Sequence, residues 1–217
     1  MNHEWVDEKL KILSTKIGIF NSNPSEFYFE PTGKIYKKLQ SGTEADIQSV
    51  AEAIAKHLGI GQSITVNYDW GIKMDPEVAG RINFSSPTQY IQIPFFYAGK
   101  KYALGSILAH EMSHTFLLFK GIWFEDQKEN EMFTDLGAVF VGLGKLLLNG
   151  LVVPISEATG EGHVLGYLSP DLIAYSYKMV NRYRSIKEEV SMENLLPKAK
   201  RMLRNPQINE ETDNGTC

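Results

Sequence analysis

The chain has 217 residues, of which 43% are hydrophobic and 22% charged, a balance that suits one sizeable globular domain with a buried core. Its formal net charge of −4 gives no electrostatic footing for nucleic acid or an anionic membrane as a partner. The one cysteine, Cys217, allows no intrachain disulfide, and the charged start MNHEWVDEKL lacks the apolar run of a secretory signal, so a cytoplasmic location is expected.

Residues 7–20 (DEKLKILSTKIGIF) have the pattern of a short amphipathic helix. Asn21 to Lys34 is turn-rich, with room for a short extended piece. A clearer helix follows over residues 43–60. Thr43 can cap it, Asp46 lies in its first turn, and Ala45, Val50, Ile54 and Leu58 form an apolar stripe. His57 falls near its C-terminus, where positive charge is favourable.

SITVNYDW (63–70) alternates and is rich in β-branched and aromatic residues, which predicts a strand. GRINF (80–84) and QYIQIPFF (89–96) add two more, joined by a Ser-Ser-Pro-Thr turn. KYALGSILAHEMSHTFLLF (101–119) is a helix with apolar residues on every side, which implies burial all round. After the loop GIWFEDQKEN, residues 131–150 form a second buried helix that stops at Asn149-Gly150. The stretch Leu136 to Ile155 is long enough to span a membrane. Lys145, Asn149, Pro154 and four glycines interrupt it, so a buried helix and a turn are expected instead. Ser169 as cap and Pro170 at the first helical position open a helix over residues 169–190. A last helix covers 192–204, with Pro197 as a breaker. Residues 206–217 are polar and expected to be disordered.

The expected architecture is a single domain over residues 1–205, with its core in 60–190. Its class is α+β: a small, mostly antiparallel sheet packed on a helical layer, with a metal between the two central helices.

HEMSH carries the chemistry. On a helix, His110 and His114 are one turn apart and face the same way. Two imidazoles so placed can hold one zinc ion at about 2.0–2.1 Å each. Glu111 lies about 100° further round, poorly placed as a ligand but able to reach a metal-bound water. Zinc lowers the pKa of such a water towards about 7, and a nearby carboxylate can take the proton. The spacing therefore meets what metal-assisted hydrolysis requires. NEMFTD (130–135) supplies a third ligand, Glu131, 17 residues after His114. Asp135, four residues on, shares its face and can accept the outer N–H of a ligating histidine.

HEMSH followed by NEMFTD resembles the gluzincin branch of zinc metallopeptidases, of which thermolysin is the familiar member. The resemblance covers roughly residues 81 to 150. It implies a zinc-dependent peptidase with one Zn2+ on His110, His114 and Glu131, Glu111 as general base, and Asp135 as the partner of His110. It also implies an edge strand along which a peptide or protein substrate lies, and Gln89, Tyr90, Ile91 and Gln92 stand in that position. Enzymes of this branch stabilise the oxyanion with a tyrosine or histidine downstream of the third ligand. His163 and Tyr167, in the glycine-bearing stretch EGHVLGYLSP, are the candidates. The chain is short beside the large secreted members and is closer to small intracellular prokaryotic forms.

Competing assignments fare worse. A di-iron helical bundle needs a second Glu-x-x-His, which is absent. GLGK (142–145) lacks the upstream glycine and the following hydroxyl of a phosphate loop. The remaining alternative is a metalloprotease-like binding or regulatory domain without peptidase activity. Glu111 argues against it, since zinc binding alone does not need that residue.

Overall fold

The computed structural model describes residues 1–19, 23–70, 81–83, 88–154 and 162–204. Residues 85–87 of the expected Ser-Ser-Pro-Thr turn and the C-terminal tail expected over 206–217 lie outside them.

Four helices open the chain: α1 (His3–Ile17), α2 (Pro24–Phe27), α3 (Gly33–Ser41) and α4 (Glu44–Leu58). Side-chain oxygens of Asn2, Asn23, Thr32 and Thr43 cap them in turn, each accepting a backbone N–H of the first turn. Thr43 does so as its sequence position predicts. The short helix α2 interrupts the turn-rich stretch expected over 21–34, residues 28–32 are irregular, and α3 begins at its end.

Strands β1 (Ser63–Asp69), β2 (Arg81–Asn83) and β3 (Thr88–Pro94) form one small sheet in the order β1-β3-β2. The expected antiparallel sheet is not what the chain builds. The long pairing, β1 with β3, is parallel from Ser63↔Thr88 to Asp69↔Pro94, and only the short β2 runs antiparallel to β3. Helices dominate the fold. The outer edge of β1 explains the strand order, because α4 occupies it. Gln48 accepts the Val66 N–H at 2.8 Å and donates to the Ile64 carbonyl at 2.7 Å, while Glu44 accepts the Tyr68 N–H at 3.0 Å. With those ladder groups taken, β2 is added on the far side of β3.

The central helix α5 (Lys101–Phe119) is buried on nearly all faces, as its even spread of apolar residues predicts. It packs against α3, α4, α6 (Gln127–Phe140) and α7 (Gly144–Gly150). The single helix expected over 131–150 is two. It starts earlier, capped by Asp126, and breaks after Phe140. Gly142 adopts φ +93°, and a Cβ there would overlap the Phe27 carbonyl oxygen. Only glycine allows this turn, which α2 brackets from one side and His57 from the other. His57 Nε2–H donates to the Val141 carbonyl at 3.1 Å, so His57 is a turn anchor.

A two-stranded hairpin, β4 (Val152–Pro154) with β5 (Gly162–Val164), leads to α8 (Pro170–Tyr183), which Ser169 caps. Two short helices, α9 (Glu188–Met192) and α10 (Pro197–Arg204), close the described chain. The buried apolar residues form one cluster from Val6 to Leu203. No helix among the described residues is long and apolar enough to cross a membrane. Lys145, within the stretch that raised that question, is fully buried and donates to Glu30 at 2.6 Å.

Candidate metal centre

Helices α5 and α6 pack face to face, and their facing turns bring three ligand-type side chains to one point. His110 and His114, one turn apart on α5, turn their Nε2 atoms towards Glu131 on the first turns of α6. The two Nε2 atoms are 3.1 Å apart, and Glu131 Oε2 lies 3.0 Å from that of His110 and 2.9 Å from that of His114. The group could hold one metal ion. The three side chains are only 12–17% exposed, so the point is almost enclosed yet open to solvent.

The outer nitrogens explain how the rings are aimed. His110 Nδ1–H donates to Asp135 Oδ1 at 2.8 Å, and Asp135 is completely buried. His114 Nδ1 lies 3.1 Å from Thr134 Oγ1, whose own hydrogen goes to the Asn130 carbonyl at 2.9 Å. The hydroxyl must therefore accept, which places the proton of His114 on Nδ1. When neutral, both rings then present Nε2 lone pairs, beside those of the Glu131 carboxylate. Three lone pairs converging at about 3 Å repel one another unless a cation enters, whether a shared proton or a metal ion.

The electrostatics carry the same signature. Burial alone would lower the pKa of His110, but Asp135, and after it Glu131, outweigh that and hold it well above its ordinary value. Burial would raise Glu131, yet hydrogen bonds from the two histidines pull its carboxyl down to about 2. Glu111, one residue past His110, is 5% exposed, and among the described residues its carboxylate has no hydrogen-bond partner. Burial pushes its pKa up, against the pull of both histidines.

Five expected residues, His110, Glu111, His114, Glu131 and Asp135, thus gather at one place. The rest fare differently. Tyr167 lies in the loop between β5 and α8 with its ring against that of His110, centroids 5.7 Å apart and planes 28° off parallel. His163 belongs to β5, but its side chain lies outside the described residues. Gln89, Tyr90, Ile91 and Gln92 do not form a sheet edge. β3 is the middle strand, paired on both sides. Ile91 is buried in the core. Gln89 is buried as well, accepting from Thr115 at 2.6 Å and donating to Gln62 at 3.1 Å. Tyr90 and Gln92 point to the opposite, exposed face. Glu129, also near the start of α6, pairs instead with Lys9 at 2.8 Å.

Sequence reasoning missed Thr134 as the holder of His114. It is three residues after Glu131 and so on the same helical face, a signal that its place in the NEMFTD motif could have supplied. It also missed Asn130, whose side chain accepts the Phe124 N–H at 3.0 Å and closes the loop into α6. Comparison with protein-family models, with curated proteins and with solved structures finds no match for this chain.

Proposed function

We propose that this chain is a zinc-dependent metallopeptidase with a gluzincin-type site, acting in the cytoplasm on a peptide or protein substrate. The observation that carries the proposal is the convergence of His110 Nε2, His114 Nε2 and Glu131 Oε2 while both outer imidazole nitrogens are already engaged. Tetrahedral zinc with bonds of about 2.0–2.1 Å spaces its ligand atoms by about 3.3 Å. The observed separations of 2.9–3.1 Å need only a slight opening to meet that spacing. Three protein ligands leave a fourth position open, the pattern of a reactive rather than a structural site.

A Zn2+ ion held there would supply Lewis acidity, acidifying a water and polarising a peptide carbonyl. The chain's own residues do the rest. Asp135 and Thr134 keep the two rings in the tautomer that leaves Nε2 free. Glu111 is buried beside the ligands without being one, and its carboxylate oxygens are free to take a proton from water and pass it to the leaving nitrogen. Tyr167, with its ring against that of His110, is the residue we assign to donate to the developing oxyanion.

Glu111→Gln tests the proposal. It keeps size and burial but cannot accept the proton. The variant is expected to bind one Zn2+ per chain like the parent and to lose peptide cleavage. Loss of zinc in the variant, or cleavage at the parental rate, would show that Glu111 has another role.

A further inference from the structure

Asp135 is bound on both sides. Oδ1 accepts from His110, and Oδ2 accepts the backbone N–H groups of Tyr167 at 2.6 Å and Leu168 at 2.9 Å. Those amides belong to the loop before α8, more than thirty residues further along the chain. Gly166 makes the contact possible. It adopts φ +94°, and a Cβ there would come within 2.9 Å of Oδ2 and 3.3 Å of Oδ1. The carboxylate could not step aside, because it is fully buried and held by three donors. The same loop lays the Tyr167 ring against His110. One carboxylate therefore orients a metal ligand and fastens the loop that walls the site.

We propose that Gly166 is a positioning residue of the metal centre: the 166–168 loop, by clamping Asp135, sets the orientation of His110 and hence the strength of metal binding. This rests on the metal-binding part of the function proposed above and not on hydrolysis. The clamp fixes the plane of the carboxylate. Without the two amide donors Asp135 can turn, and His110 loses the partner that keeps its proton on Nδ1 and its Nε2 bare. Outer partners of this kind typically change metal affinity about 10- to 100-fold. Coupling is reciprocal by thermodynamic necessity, so metal bound at His110 must in turn steady the loop.

The test uses the full chain with Zn2+ and with Co2+ as a spectroscopic probe. Gly166→Ala touches no ligand atom, yet is expected to weaken Zn2+ binding about 10- to 100-fold in competition with a chelator and to shift the visible Co2+ spectrum. The amides of Tyr167 and Leu168 in the parent are expected to exchange more slowly once Zn2+ is bound. Parental affinity and an unchanged Co2+ spectrum in Gly166→Ala would overturn the inference. Should that variant fail to fold, exchange in the parent decides alone, and rates at both amides indifferent to Zn2+ would overturn the inference equally. A parent that takes up neither metal refutes the proposed function itself, and this inference with it.

Discussion

Thr134→Val removes one oxygen and almost nothing else. The side chains are nearly the same shape, the position is buried in α6, and their helix propensities are close. What changes is the fate of His114 Nδ1–H, which now has no acceptor at 3.1 Å. With a metal ion on Nε2 the proton must stay on Nδ1, so a buried donor is left unpaired at a cost of about 1–3 kcal/mol. Without metal the ring escapes. Its proton can move to Nε2 and pair with Glu131 Oε2, 2.9 Å away. The cost therefore falls on the metal-bound state alone. At about 1.4 kcal/mol per tenfold, Zn2+ affinity should fall about 5- to 150-fold. Chelator competition measures the affinity, and urea unfolding of the metal-free protein measures the fold. Affinity within twofold of the parent would refute the tautomer assignment. A metal-free stability loss as large as the loss in metal binding would show that Thr134 merely packs.

Two further outcomes follow from the turn between α6 and α7. Gly142→Ala must adopt φ +93° and overlap the Phe27 carbonyl, so it should destabilise the fold by at least the upper part of the about 1–3 kcal/mol range for backbone strain. A urea midpoint equal to the parent's would mean the turn is not held as described. Burial lowers the pKa of His57, against the pull of its bond to Val141. The unfolded chain thus takes up a proton near pH 6.5 before the folded one does. The contribution of His57 is complete above that pH and is lost as pH falls through 6.5 towards the lower folded value. The stability gap between the parent and His57→Gln should therefore narrow from pH 7.5 to pH 5, and a constant gap would exclude the assignment.

The centre was legible where its logic is local. His110, Glu111 and His114 share one helix, so a spacing of four residues places two rings on one face whatever surrounds them. Glu131 and Asp135 repeat that spacing on the next helix. The caps at Thr43 and Ser169 are equally local, since each oxygen serves backbone N–H groups of its own first turn. The burial of α5 follows from apolar residues on all its sides.

Tertiary packing decided everything that depends on how separate elements meet. Strand alternation shows which faces are buried but not which strand lies in the middle. That depended on Gln48 and Glu44 of α4 taking the edge of β1, so β3 became central and offers no free edge. The helix expected over 131–150 has no internal breaker strong enough to foresee. It breaks at a left-handed turn whose Gly142 packs against the backbone of Phe27, more than a hundred residues earlier, a contact that no local pattern records. Thr134 and the amides of Tyr167 and Leu168 look like ordinary helix and loop groups in the sequence. They became holders of the candidate metal centre only when α6 and the loop before α8 closed around Asp135. A hydrogen bond between distant segments is set by their relative placement, and helical or strand periodicity carries no record of it.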